Sequence, residues 1–251
     1  VVDTIAARIP ALVACHLLGC DETQWRDLRS WSERLMRVDT MASDPLHLSD
    51  GIRAVLEIGA LADTAVESRR GCPADDLFSR WANAELGGEP MSMQDINSEL
   101  GLVIPGAAET TRTTLARSLI LFSERNDLWE QLAEDPSRIP TAVEELLRWV
   151  TPLNNMFRTV ARDVEVDGVR MKEGDRVALV YPSANRDEDW FEDPYEVDLT
   201  RDPNPHIAFG FGTHFCLGAH VARLQLRVAL EELTSRFTNL RPISPPVYEA
   251  N

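Results

Sequence analysis

The chain has 251 residues, 44% of them apolar, and a formal net charge of −16. That length and apolar share suffice for a sizeable core, and the acidic balance argues against a nucleic-acid partner, whose phosphates need a basic face. No apolar run is long enough to span a bilayer and Val1-Val2-Asp3-Thr4 does not read as a signal peptide, so no membrane segment and a cytoplasmic, reducing compartment are expected.

Taken in order, the apolar spacing predicts a helix over 2–18 ended by Gly19, then one over 22–38 with Trp25, Leu28, Trp31, Leu35 and Met36 on its apolar face. Cys15 and Cys20 fall on or beside the first pattern and read as core residues; with Cys72 and Cys216 they show no zinc-type spacing. After a turn at Asp44-Pro45, residues 48–69 repeat the helical pattern through Ile52, Leu56 and Val66, until Gly71-Cys72-Pro73 breaks it. A short helix at 75–85 and a loop at Gly87-Gly88-Glu89-Pro90 follow, and Ser92 is placed to cap a long helix over about 93–124. The chain begins without methionine inside an apolar-periodic pattern, which is expected of a truncated product.

Within the long helix stands Pro105-Gly106-Ala107-Ala108-Glu109-Thr110-Thr111. Small residues there leave room against the helix backbone. A helical threonine bonds back to a carbonyl one turn earlier, and a neighbouring acid can relay protons. Pro105 should kink the helix; alternatively it marks an ordinary helix start. Helices at 126–135 and 141–149 come next, the second carrying Glu145 and Arg148 at i, i+3, a spacing that normally gives only a minor surface pair. Strand-like pieces at 156–160, 164–169 and 177–181 are punctuated by Asp167-Gly168 and Glu173-Gly174. The loops 183–187 and 191–194 read as structural.

The most informative stretch is Phe209-Gly210-Phe211-Gly212-Thr213-His214-Phe215-Cys216-Leu217-Gly218, followed at once by a helical pattern through Val221, Leu224, Val228 and Leu233. A cysteine at a helix N-terminus has its thiolate favoured by free amides and the helix dipole, and only the thiolate ligates metal. Gly210 and Gly212 permit a tight turn and close approach to a flat ligand. A buried structural cysteine is the plain alternative.

Phe209-x-x-Gly212-x-x-x-Cys216-x-Gly218 resembles the haem-binding signature of the cytochrome P450 family, and Gly106 to Thr110 resembles that family's oxygen-activation motif, with Ala107 where a glycine is usual. The resemblance implies a mainly α fold with small β-sheets, N-terminally incomplete. It implies a single domain over 1–251, with the long helix at about 93–124 and the haem-binding loop at 206–218. It implies haem b with Cys216 as the axial iron ligand and with Phe209, Gly210, Gly218 and Ala107 against the cofactor. Arg158 and His214 would hold its propionates, which suit charge-assisted donors. Glu109 and Thr110 would manage protons, while Glu145 and Arg148, joined by Arg201, would brace the haem region.

The implied activity is haem-thiolate monooxygenation of a lipophilic small molecule with O2 and electrons from a ferredoxin-type or other donor. Val103, Ala107, Leu153, Asn154 and Met156 are candidate pocket residues. Asn154 and Asn155 would be unusually polar there and fit equally a turn after Pro152. Arg223 and Arg227 either dock an acidic donor or form a solvated helix face. The alternative class is a truncated, non-catalytic haem-binding or interaction domain; a haem sensor is a third.

Overall fold

The computed structural model describes residues 2–37 and 44–246. The chain forms two compact units, one chiefly of Val1–Ala116 and one of Arg117–Pro242. Both are mainly helical, with short antiparallel ribbons.

In the first unit a π-helical turn, Val2–Ala6, leads into α1 (Arg8–Leu18). Gly19 ends it in the left-handed region at φ 84°, its N–H donating to the Cys15 carbonyl at 3.0 Å. A glycine is required there on two counts, since a Cβ would also fall 2.2 Å from Asp76 Oδ2. A capping box of Asp21 and Gln24 opens a 3-10 turn before α2 (Trp25–Met36), whose Leu28 and Trp31 are buried. The predicted end of this helix at residue 38 lies outside the described residues.

α3 (Pro45–Gly71) starts earlier than the spacing suggests, because Pro45 sits at its first turn and the Asp44 carboxylate accepts the Leu46 N–H at 2.8 Å. Its inward face keeps Val66, as expected, but not Ile52 and Leu56. Gly51, Ala54, Ile58, Ala62 and Val66 are buried, whereas Ile52 is 54% and Leu56 68% exposed. Small residues at three- and four-residue spacing let neighbouring helices approach closely, and that contact decides the face.

α4 (Leu77–Ala82) is capped by Asp76. The expected loop that follows is a hairpin, β1 (Glu85–Leu86) with β2 (Glu89–Pro90), turned by Gly87 and Gly88 at positive φ. α5 (Met93–Glu124) occupies the predicted range; Ser92 and Asp95 cap it reciprocally, and the helix runs on through Pro105. The core of this unit gathers Cys15, Leu18, Leu28, Ile58, Phe78 and Ile96, with Cys20 packed at its edge.

In the second unit, α6 (Asn126–Glu134) packs Trp129 edge-on to Phe122 and ties its indole N–H to the Phe237 carbonyl at 2.9 Å. α7 (Ile139–Val150) is the most amphipathic element and buries eight of its residues. β3 (Asn155–Thr159) pairs with β6 (Arg176–Val180), setting Arg158 opposite Val177. The predicted strand 164–169 is divided by its own Asp167-Gly168 turn into β4 (Val164–Val166) and β5 (Val169–Met171). A short α8 (Tyr181–Ala184) and a long ordered loop lead to α9 (Ala219–Thr234). Among the described residues no helix is long and apolar enough to cross a membrane.

Candidate functional site

The loop before α9 is built from hydrogen bonds to its own backbone. Gly210 N–H donates to Ile207 O at 2.9 Å, Cys216 N–H to Phe209 O at 2.9 Å, and Phe215 N–H to Gly212 O at 3.0 Å. Gly210 and Gly212 hold φ of 73° and 69°, which a side chain would strain. Phe209 stacks at a tilt on Phe215, 6.2 Å between centroids. Cys216 is exposed at the loop's end, two residues ahead of the Gly218 cap of α9, and a Cβ at Gly218 would come within 4.0 Å of its sulfur.

The same loop walls a cavity of about 410 Å³. Its polar lining includes Arg158 and His214, brought together from β3 and the 3-10 turn Gly212–His214; Leu179, Val180, Tyr181 and Ile207 supply apolar wall. Arg158 is exposed and, among the described residues, donates only to its neighbour's carbonyl, Phe157 O, at 2.9 Å, so its guanidinium remains able to bind an anion. Of the candidate pocket residues, Leu153, Asn154 and Met156 are not in this lining: Met156 is 43% exposed and Asn155 is a β3 residue paired with Val180. The wall residues from β6 and α8 were missed because a short apolar strand carries no mark of which cavity it faces.

Behind the loop, Glu145 and Arg148 are fully buried and joined by two hydrogen bonds, 2.7 and 2.8 Å. Arg201 donates to Glu145 at 3.1 Å, and Asn204 Nδ2 and the Asp198 N–H each add a bond at 3.0 Å. Arg148 spends its remaining donors on the carbonyls of Asn185, Pro194 and Glu196 and lies 5.2 Å from the Phe191 ring centre. The i, i+3 pair that would be minor at a surface is here the saturated centre of the ordered loop. Asn185, in the loop 183–187 that reads as structural, completes it: its amide group donates to Thr151 Oγ1 and accepts the Ile207 N–H, both at 2.8 Å.

Arg223 is more engaged than either expectation for it, a docking cation or a solvated helix face. It donates twice to Glu144, at 2.7 and 2.8 Å, and covers the Phe209 ring at 4.5 Å, so its charge is already satisfied. Arg227 pairs with Glu231 at 3.5 Å and is half exposed.

In the first unit, Glu109 is buried on α5. Its carboxylate accepts from Ser32 Oγ at 3.2 Å and from Arg112 at 3.1 and 3.3 Å, and Arg112 also holds Glu33 at 2.7 Å. Burial raises the Glu109 pKa above its ordinary value against the pull of Arg112. Thr110 Oγ1 donates to Gly106 O at 2.9 Å, the back-bond its helical position predicted. Val103 and Ala107 are half-buried and pack against the core of this unit.

The model for "Cytochrome P450" matches residues 66–242, and that stretch holds the thiol loop, the buried Glu145–Arg148 pair and the Glu109–Thr110 helix alike. The chain belongs to the cytochrome P450 family. It is 39% identical over 245 residues to a steroid C26-monooxygenase of Mycolicibacterium smegmatis, covering 96% of this chain and 60% of that one. It is 36% identical to a methyl-branched lipid omega-hydroxylase of Mycobacterium bovis, covering 98% and 58%. Among solved structures it resembles Mycobacterium marinum cytochrome P450 CYP268A2 in complex with pseudoionone, with a TM-score of 0.87, 34% identity and coverage of 94% and 58%. The P450 chain therefore spans about 60% of the length of such relatives.

Haem b, the cofactor of P450s, asks for a reachable thiol, cationic or hydrogen-bonding groups for two carboxylates, and apolar surface for the ring. Cys216 supplies the first, Arg158 and His214 the second, and the walls from β6, α8 and Phe211 the third, so the residues of this P450 fit the group.

Proposed function

We propose that this P450 chain is the haem- and oxygen-handling part of a monooxygenase that hydroxylates a lipophilic small molecule, using O2 and electrons from a ferredoxin-type or other donor. The observation that carries the reading is the placement of an exposed Cys216 on the loop that lends Phe211, Gly212, Thr213 and His214 to the Arg158 cavity. Bound haem would supply the redox chemistry, its thiolate ligand favouring O–O cleavage.

Cys216 is assigned as the axial ligand, with Phe209, Gly210 and Gly218 shaping its loop. Arg158 and His214 are assigned to the propionates, where charge-assisted bonds orient the ring. Glu145, Arg148 and Arg201 keep the loop's foundation rigid. Glu109 and Thr110 are assigned to proton handling: burial raises the proton affinity of the carboxyl, so it takes up a proton more readily than a solvated one. Ala107, one turn from Val103, is assigned to the small surface the cofactor needs against the helix. The lipophilic substrate class is supported by the names of the steroid and lipid relatives. A cytoplasmic location belongs to the same proposal, supported by four free thiols.

The deciding experiment is the absorption spectrum of the purified chain with added haem, reduced and exposed to CO. A Soret band at the red-shifted thiolate position, lost in Cys216→Ala, is the expected result. No haem uptake, or only the blue-shifted form unchanged by Cys216→Ala, overturns the proposal and leaves a non-catalytic P450 domain.

A further inference from the structure

One carboxylate fastens both ends of the Cys216 loop. Ahead of the loop, His206 sets Nε2 3.1 Å from Glu144 Oε2, while its Nδ1 accepts the Ala208 N–H at 3.2 Å. With Nδ1 accepting, the ring proton sits on Nε2 and is donated to Glu144. Beyond the loop, Arg223 donates from Nε and Nη2 to the two oxygens of the same carboxylate at 2.7 and 2.8 Å. That guanidinium lies on the Phe209 ring, 4.5 Å from its centre, and Phe209 is the residue whose carbonyl holds the Cys216 amide at 2.9 Å. Among the described residues Glu144 takes its side-chain bonds from His206 and Arg223 and none from the Glu145 network; it is α7's separate link to the loop.

We propose that Glu144 is the positioning residue for Cys216: its carboxylate closes His206 and Arg223 over the loop and presses the guanidinium onto Phe209, fixing the turn that presents the sulfur. The link to catalysis rests on reading Cys216 as the haem ligand; the clamp itself is a property of the chain. Burial opposes the charge on Glu144, but hydrogen bonds from His206 and Arg223 outweigh it and hold its pKa at about 2. The Glu144 carboxylate is thus ionised at neutral pH. A bidentate, charge-assisted pair is directional as well as strong, which suits a positioning role. Glutamine at this position would keep the shape but turn an NH2 toward one of three donors, so at least one bond opens.

The test compares Glu144→Gln and Arg223→Lys with the wild type and with Glu165→Gln, which breaks the exposed Glu165–Arg170 pair on β4 and β5. Amide exchange is read without haem over residues 206–218 and over α6. Both clamp variants should speed exchange in the loop about tenfold, the scale of one lost charge-assisted hydrogen bond, and leave α6 and the Glu165→Gln control unchanged. With haem and CO, at temperatures well below unfolding, they should shift the ratio of red- to blue-shifted bands toward the blue. Wild-type exchange in the loop overturns the proposal, as does uniform acceleration across loop and α6, which would make Glu144 a plain stability residue. If the wild type binds no haem, the haem reading fails and the exchange data still decide the clamp.

Discussion

Glu144 and Glu145 are neighbours on α7 with opposite surroundings. Glu145 has no exposure, and its charge is met by Arg148, Arg201 and Asn204. Removing it would strand a buried guanidinium, so Glu145→Ala should cost about 3–5 kcal/mol, read as a lowered denaturant midpoint at unchanged m-value. Glu145→Gln, which keeps part of the bonding, should fall between, and a wild-type midpoint for either variant would mean the network adds nothing. Glu144 has its pKa depressed from the ordinary 4.5 to about 2. A depressed carboxyl stabilises the fold above its unfolded pKa and loses that contribution as pH falls through the folded one. The stability gap between wild type and Glu144→Gln should therefore be flat above about pH 5 and close toward pH 2. A gap that is constant over that window would contradict the assigned bonding. Of this residue-scale chemistry, Glu145 was legible as half of a spaced motif with Arg148. Glu144 and His206 were not, since a lone acid and a lone histidine 62 positions apart carry no periodic mark.

At the scale of elements, α5 shows how far local signals reach. Ser92 and Asp95 close its start, helix formers carry it across Pro105, and Thr110 bonds back within it, all features that nearby sequence encodes. α3 shows where they stop. Its bulky residues Leu48, Ile52, Val55 and Leu56 face outward, while Gly51, Ala54 and Ala62 are buried. A hydrophobicity pattern weights size, but close helix packing selects smallness, and only the neighbouring helices decide between them. Ile52→Lys and Leu56→Lys should each change stability by less than about 0.5 kcal/mol, as surface substitutions do. Ile58→Lys should unfold the unit under conditions where those two variants stay folded, because a lone ammonium has no partner in its core site. Thermal melts of the three variants separate the faces; equal losses would mean α3 is buried on the side the spacing suggested.

For the molecule as a whole, the four thiols report on the fold at once. Cys72 and Cys216 are exposed, Cys15 is buried and Cys20 half-buried. Burial pushes the Cys15 thiol up to about 11 and the Cys20 thiol to about 12, with neighbouring carboxylates adding to the effect. In the haem-free chain a disulfide-exchange reagent at neutral pH should therefore label two thiols rapidly and two only on unfolding, since the thiolate is the reactive form. Peptide mapping should place the fast pair at Cys72 and Cys216; fast labelling of Cys15 would contradict the core of the first unit.

The sequence by itself determined the order and approximate extent of most helices, the chain breaks at Gly87-Gly88 and Asp167-Gly168, and the loop that carries Cys216. Each of these depends on caps, glycine conformations or spacings within a few residues. Only the tertiary structure decided which face of α3 is inside, that Ser32 meets Glu109 across 77 positions, and that Glu144 joins His206 to Arg223. Those contacts link residues distant in the chain, and what selects them is close packing and the need to satisfy buried charge, neither of which any local period records.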